Sequence, residues 1–372
     1  MAPAMQSGAG KVIRDLIFYS NEKLNAETLL VTSGEVEGSA DWAFLLTELK
    51  KRNVTIRYVD LFHRESSRFW TSVKELEGII ADFNPDIIHS HAGVPALAGF
   101  LASAHLPVHR VVTFHGWGLN RPRWMDIQDV ATFNLQDVVV TASDYFKDYL
   151  KGLGVREEKL HKIPLGIRPF SGVVPMLDFD RISKVSRIGL MGVIDPRKNQ
   201  MAALEALTIL KDRYSHPVEL HLVGDIKDRE YYLSLTQYIE RSGLQGQVVF
   251  TGNLEAPLSY LAGMDIFLFV PVSEGFGLAV LEAMSLGLPV VSSYTEGARE
   301  FLEKGENFIE VDNRDPRSIA EGVMSLNGNR ELIERLSKQS LKTAKKYDFK
   351  NSLIGYLRLY SSPRNTRKDT KK

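Results

Sequence analysis

Short apolar, β-branched runs alternate with longer amphipathic stretches along nearly all of this 372-residue chain, and that alternation limits the fold more than any other feature. Short apolar runs bounded by turn residues read as buried strands, and apolar residues three and four apart read as helices. In the first half the sequence predicts strands at 28–32, 55–59, 87–89, 111–114 and 138–141, with helices over 41–52 and 69–83. The alternation pauses at 168–184 (RPFSGVVPMLDFDRISK), a Pro-containing stretch read as a linker. It resumes with strands at 187–191, 219–223, 248–251, 266–270 and 290–292 and helices over 201–214 and 231–242. Strands separated by helices pair in parallel, because the crossover helix carries the chain back to the starting end of the sheet. The expected fold class is therefore α/β, two doubly wound Rossmann-like domains facing a central cleft. In such sheets ligands sit outside the carboxyl ends of the strands, so the cleft is the expected site. Residues 1–24 read equally as an extra helix or an extra strand.

Composition narrows the chemistry. Cysteine is absent, which excludes disulfide scaffolds, Cys-ligated zinc, iron–sulfur clusters and thiol catalysis. Lys plus Arg and Asp plus Glu number 46 each, against the basic excess of a nucleic-acid binder. No apolar run approaches the roughly 18–20 residues of a membrane span, and the opening MAPAMQSGAGKVIRD lacks a signal peptide's apolar core. A soluble, cytoplasmic protein is expected. The neutral total hides an asymmetry: residues 341–372 carry ten Lys/Arg against two Asp/Glu, an excess of +8 on a body of −8. Residues 362–372 (PRNTRKDTKK after Ser362) hold no large apolar side chain and are expected to be a basic disordered tail, either solvated or drawn to anionic lipid or nucleic acid.

The segment that carries chemistry is 267–297, FLFVPVSEGFGLAVLEAMSLGLPVVSSYTEG. A buried strand is expected to end at Pro271. Ser273-Glu274-Gly275-Phe276-Gly277 then reads as a turn whose glycines let a ligand approach the backbone. A helix from Leu278 to about Leu286 follows, closed by Gly287 and Pro289, and its N-terminal N–H groups suit an anion or sugar hydroxyls. Glu282 lies in that helix among Leu278, Val280, Leu281, Ala283, Met284 and Leu286, surroundings that would strand a carboxylate without donors. Either a pair of ribose hydroxyls or a neighbouring strand would supply them. Glu274 either reaches a ligand across the turn or is solvated.

The string Glu274-Gly275-Phe276-Gly277-Leu278, Glu282-Ala283-Met284 and Gly287-Leu288-Pro289-Val290-Val291 resembles the Glu-x7-Glu motif of retaining glycosyltransferases of the GT-B fold, especially glycosyltransferase family 4. The resemblance spans nearly the whole chain. Pro85-Asp86-Ile87-Ile88-His89-Ser90-His91 resembles the family's third N-domain strand, and Thr113-Phe114-His115-Gly116 its histidine loop. Ile163-Pro164-Leu165-Gly166-Ile167 resembles the start of its linker. Leu222-Val223-Gly224-Asp225 and Val249-Phe250-Thr251-Gly252 resemble its C-domain nucleotide-binding loops, and 347–360 its final helix. In the family the second glutamate, here Glu282, binds the ribose of a nucleotide sugar, and the first, Glu274, holds the transferred sugar with neighbouring amides. The resemblance implies an N-terminal acceptor-side domain over 1–170, a nucleotide-sugar-binding domain over 171–345, and a helix over 346–361 that crosses back to the first.

Two departures stand out. The family places an arginine after the glycine of the first C-domain loop and a lysine five residues on, both facing the diphosphate. This chain reads Gly192-Val193-Ile194-Asp195-Pro196-Arg197-Lys198, keeping the lysine and replacing the arginine with Val193. Arg197 either substitutes or is solvated. Leu165 and Arg168 stand where the family often has Asn and Asp. Asp178-Phe179-Asp180 matches the metal motif of the other main glycosyltransferase fold, but it lies in the linker rather than at a strand end, so no metal is expected. His89 and His91 are read as strand-end hydrogen-bonding residues rather than a metal pair.

The resemblance implies a retaining, metal-independent glycosyltransferase of the hexosyltransferase type, with polysaccharide biosynthesis as its setting. The donor is a nucleotide diphosphate sugar of the UDP or GDP type, with no other cofactor, and the acceptor is a carbohydrate, a lipid-linked glycan or a small molecule. The expected catalytic residues are His115, Lys198 and Glu274. Gly192, Arg197, Lys198, Gly224, Glu274, Gly275, Phe276, Gly277, Leu278 and Glu282 are expected at the donor. Gly38, Trp117, Arg121 and Arg123 are expected on the acceptor side, where the aromatic and basic residues also suit peripheral contact with the inner membrane face. No nucleic-acid partner is expected. A nucleotide-sugar epimerase or hydrolase of the same fold, and a degenerate nucleotide-binding subunit, are the alternatives.

Overall fold

A computed structural model describes residues 8–33, 40–60, 66–116, 121–168, 170, 185–213 and 218–361. The chain divides into two compact units, residues 1–165 with 350–372, and residues 166–349. The expected linker, apart from its first residues, and the expected tail lie outside the described residues, as do Gly38, Trp117, Asp178 and Asp180.

In the first unit the chain runs α1 (Gly8–Leu24), β1 (Leu29–Thr32), α2 (Ala40–Lys51), β2 (Thr55–Tyr58), α3 (Ser66–Phe83), β3 (Ile87–His91), α4 (Gly93–Ser103), β4 (His109–Phe114), α5 (Arg123–Leu135), β5 (Val138–Thr141), α6 (Asp144–Gly152) and β6 (Leu160–Lys162). From Gly8 to Leu24 the ambiguous N-terminal stretch is a helix. Ile13, Ile17 and Phe18 recur at helical spacing and pack on Leu30, Leu49 and Val54. Every strand pairing is parallel, with β1 on β2 and the order β3-β4-β5-β6. Val112, Phe114 and Val139 pack with Phe133, Phe146 and Leu150 of the crossover helices.

The second unit runs β7 (Arg187–Met191), α7 (Gln200–Arg213), β8 (Glu219–Val223), α8 (Arg229–Arg241), β9 (Val248–Gly252), α9 (Pro257–Leu261), β10 (Ile266–Phe269), α10 (Leu278–Ser285), β11 (Val290–Ser292), β12 (Ile309–Glu310), α11 (Pro316–Met324) and α12 (Arg330–Lys346). α13 (Phe349–Ser361) follows, and its residues from Lys350 onward belong to the first unit. The six strands form one parallel sheet in the order β12-β11-β10-β7-β8-β9. Connections from β7 proceed one way, to β8 and β9, and those from β10 the other way. The order therefore reverses between β7 and β10, and that switch point opens a crevice beyond their carboxyl ends. Ile188, Leu190, Leu220, Leu222, Ile266 and Leu268 fill the sheet interior, covered by Leu204 and Leu207 of α7 and by Ile319 and Val323 of α11.

Among the described residues no helix is long and apolar enough to cross a membrane.

Candidate active site

Lys198 and Glu274 meet at the switch point of the second unit. Lys198 ends a 3₁₀ turn, Pro196–Lys198, that follows β7. Asp195 caps the turn, its Oδ1 accepting from the Lys198 N–H at 3.1 Å, with Pro196 preset at the first position. Asn199 then adopts a left-handed conformation (φ 59°). Its Nδ2 donates to the carbonyls of Val270 (3.0 Å) and Asn313 (2.8 Å), and the Val272 N–H donates to the Arg197 carbonyl (2.9 Å). These bonds tie the loop after β7 to the segment after β10. They bring Lys198 Nζ to 2.5 Å from Glu274 Oε2, with the two side chains 13% and 14% exposed. Glu274 Oε1 accepts from the Gly275 N–H at 3.1 Å, so both carboxylate oxygens have a donor.

Close backbone approaches build the walls. A Cβ on Gly224, at the end of β8, would stand 2.3 Å from the Gly192 carbonyl oxygen, so the loops after β7 and β8 touch only because Gly224 has none. A Cβ on Gly297 would stand 2.2 Å from the Gly275 carbonyl oxygen, and the Gly297 N–H donates to the Glu274 carbonyl at 3.2 Å. The stem of Lys198 runs over Gly192. Gly277 (φ 95°, ψ 42°) precedes α10 with no side-chain cap; the Val280 N–H turns back to the Gly277 carbonyl at 2.9 Å, which leaves the N–H groups of Leu278 and Ala279 to a ligand.

Phe276 is buried against Phe301 and Tyr347, with centroids 5.4 and 6.2 Å away, which leaves its backbone as the part that a ligand can use. Glu282 is half-buried, which corrects the expectation of a wholly apolar setting. α10 buries Val280, Leu281, Ala283 and Met284 and turns Leu278, Ala279, Glu282 and Ser285 to its more open face. Small and apolar residues on that open face hid the helical period. Arg197 is 35% exposed and leans towards Asp195, 3.9 Å away. Asp195, Asn199, Gln200 and Asn313 were not singled out from the sequence; of these, only Asp195-Pro196 carried a readable cap signal.

The first unit holds a second cluster. His89 Nδ1 lies 2.6 Å from Tyr360 Oη and its Nε2 2.8 Å from Thr113 Oγ1, which in turn lies 3.1 Å from Tyr356 Oη. His91 Nδ1 lies 2.9 Å from His115 Nε2, with the rings stacked. Burial pushes the imidazoles down, His89 to about 3, His115 to about 4 and His91 well below its ordinary value, so all three are neutral near pH 7. The two nitrogens of His89 are taken up within the fold, as a strand-end role requires. Arg121 is also used internally, its Nη2 2.7 Å from the buried Asp129 carboxylate, while Arg123 is exposed at the start of α5.

Residues 7–169 match the family model described as Glycosyltransferase Family 4, and residues 181–343 match that described as Glycosyl transferases group 1. The chain is a glycosyltransferase of the GT-B fold, resembling family 4. Among its relatives, the lipopolysaccharide core biosynthesis glycosyltransferase LpsE of Rhizobium meliloti is 30% identical over 153 residues, 41% of this chain and 43% of its own. The capsular polysaccharide biosynthesis glycosyltransferase CapM of Staphylococcus aureus is 24% identical over 78% of this chain and 80% of its own. The crystal structure of Anabaena HepE in complex with UDP and glucose superposes with a TM-score of 0.79 over 96% of each chain at 19% identity, a likeness of fold.

Proposed function

We propose that this chain moves a sugar from a nucleotide diphosphate sugar, of the UDP or GDP type, to a hydroxyl of a glycan, glycolipid or small molecule, with retention at the anomeric carbon and without a metal ion. The observation that carries this reading is the Lys198–Glu274 pair, fixed at the switch point beside an uncapped helix start. It offers one cation for a diphosphate, one carboxylate for sugar hydroxyls, and backbone N–H groups for either. HepE, similar in fold, is described in complexes with UDP and with UDP-glucose, which favours a UDP donor here.

In this reading Lys198 and the first turn of α10 meet the charge that develops on the departing diphosphate. Gly192 and Gly224 let the phosphates approach the backbone. Glu282 accepts from the ribose hydroxyls, and Glu274 with the amides of Gly275, Phe276, Gly277 and Leu278 holds the transferred sugar. The bond from the anomeric carbon to the phosphate oxygen breaks as the acceptor oxygen bonds on the same face, and the departing phosphate takes the acceptor's proton. His115 is assigned as a ligand contact in the first unit, and Arg123 with the acceptor. Arg197 adds a second, more solvated cation.

The test is an assay of UDP- and GDP-sugars with and without candidate acceptors, with the product anomer read by NMR and EDTA added in a parallel set. Transfer with retention, unaffected by EDTA, is expected. Sugar release without acceptor would favour a hydrolase, epimerised donor an epimerase, and nucleotide binding without turnover a partner subunit. Activity lost in EDTA and restored only by a divalent ion would overturn the metal-independent step.

A further inference from the structure

The stretch after β11, Ser293-Tyr294-Thr295-Glu296-Gly297, lies along the turn that carries Glu274. β11 pairs with β10 in parallel, Ser292 beside Phe269, so the two segments leave the sheet side by side at its carboxyl end. The Ser293 N–H donates to the Phe269 carbonyl at 2.9 Å and the Gly297 N–H to the Glu274 carbonyl at 3.2 Å, which fixes the stretch at both ends. Within it the Thr295 N–H donates to the Ser293 carbonyl at 3.1 Å, and the Thr295 carbonyl accepts from the Arg299 N–H at 3.1 Å. The backbone is tied down, but three side chains are left over. Ser293 and Thr295 are each 5% exposed, and neither hydroxyl has a protein partner among the described residues. Glu296 is half-buried, and its Oε2 is buried and unpartnered as well. Tyr294, between them, is accounted for by its stack on Phe308, with centroids 5.9 Å apart.

Folded chains pair nearly all of their buried polar atoms, because one left unpaired keeps the cost of leaving water. Among the described residues seven buried side-chain oxygen or nitrogen atoms lack a partner, and three of the seven fall within these four positions. Such a concentration, in a fixed loop beside Glu274, calls for a ligand that pairs them. The chemistry of the three groups selects its kind. A phosphate only accepts, and would face a carboxylate that only accepts, whereas a sugar hydroxyl can donate to Glu296 and accept from Ser293 and Thr295. We propose that Ser293, Thr295 and Glu296 line the sugar subsite beside Glu274 and decide which nucleotide sugar the chain takes. A buried group built to pair with a substrate hydroxyl penalises a sugar that lacks it or carries it on the other face, since the group then stays unpaired. The inference rests on the reading of Glu274 and the amides of residues 275–278 as the seat of the transferred sugar, and adds to it that the loop after β11 makes the choice between sugars.

Calorimetry of the native full chain and two variants against UDP, GDP, UDP-glucose, UDP-galactose, UDP-N-acetylglucosamine and GDP-mannose tests this. Thr295→Val keeps the shape and removes the hydroxyl, and Glu296→Gln keeps the size and removes the carboxylate. Each should weaken the preferred sugar nucleotide by about ten-fold and leave the affinity for its bare nucleotide unchanged. Thr295→Val should also hold or raise the Tm of the unliganded chain, because it removes an unpaired buried hydroxyl. Native affinity for the preferred sugar nucleotide in both variants overturns the inference. A lower unliganded Tm in Thr295→Val overturns it as well, since the hydroxyl would then be paired within the fold or through water. The expected loss in both loop variants, with native sugar-nucleotide affinity in Glu274→Ala, would keep the loop's role and overturn that of Glu274. A native chain that binds none of the six compounds overturns the donor reading, and this inference with it.

Discussion

Lys198 and Glu274 each satisfy the other, and that sets an unusual expectation for substitutions. A diphosphate that takes Lys198 must compete with a carboxylate 2.5 Å from Nζ, both largely shielded from water. Hydrogen bonds between charged partners are worth about 1.5–3 kcal/mol, enough for such competition to be measurable. Glu274→Gln keeps the size and removes the competing charge. If Glu274 holds the transferred sugar as proposed, the variant's affinity for free UDP should rise about ten-fold while sugar transfer falls by about two orders of magnitude, because the sugar then loses its carboxylate. Lys198→Ala should weaken UDP binding by a similar factor. Calorimetry with UDP and an initial-rate assay separate the two effects, and weaker UDP binding by Glu274→Gln would sink the competition argument. Val193 sharpens the case, since no arginine follows Gly192 and Arg197 is turned towards Asp195.

At the scale of elements, α13 is held by a few buried contacts at helical spacing. Ser352 donates to the Pro164 carbonyl at 2.6 Å, and Leu353 and Tyr356 are buried. Tyr356 is fully buried, and burial pushes its hydroxyl up to about 12, so it remains a neutral partner for Thr113. Tyr356→Phe removes one hydrogen bond, and Thr113 Oγ1 keeps His89, so the loss should be about 1 kcal/mol. Tyr356→Ala also empties a large buried volume and should cost about 3–5 kcal/mol, as aromatic truncations in cores do. Urea unfolding of the two variants beside the native chain checks the order. Equal losses would mean that the ring does not fill the packed space between α13 and the strands.

For the whole molecule, the three clustered histidines, His91 buried and His89 and His115 half-buried, contribute to the response to acid. Each is neutral when folded and takes a proton near pH 6.5 once unfolded, so the unfolded state binds more protons below that value. Their contribution is complete above pH 6.5 and is lost as pH falls towards about 4 for His115 and about 3 for His89. Each proton taken up only on unfolding costs about 1.4 kcal/mol per pH unit across that window. Tm should therefore drop steadily from pH 6.5 to 4.5, and less steeply in His89→Asn than in the native chain. A flat Tm over this range would show that these rings are not held neutral in solution.

What the sequence determined by itself was local in origin. Hydrophobic period and turn residues depend on neighbours within one element, so the β-branched run 138–141, the run 219–223 and the helix after the second of them could be read directly, and with them the parallel α/β class. Elements without a period could not. β6 and β12 are too short to show one, and α4 is buried nearly all round, so its apolar residues mark no face. The tertiary structure alone decided which residues meet. Lys198 and Glu274 are 76 positions apart and touch because the strand order reverses between β7 and β10. His91 and His115 are 24 apart and touch because β3 and β4 lie side by side in one register. Strand order is not written in the spacing of residues along a strand, since it is set by how the helices cover the two faces of a sheet.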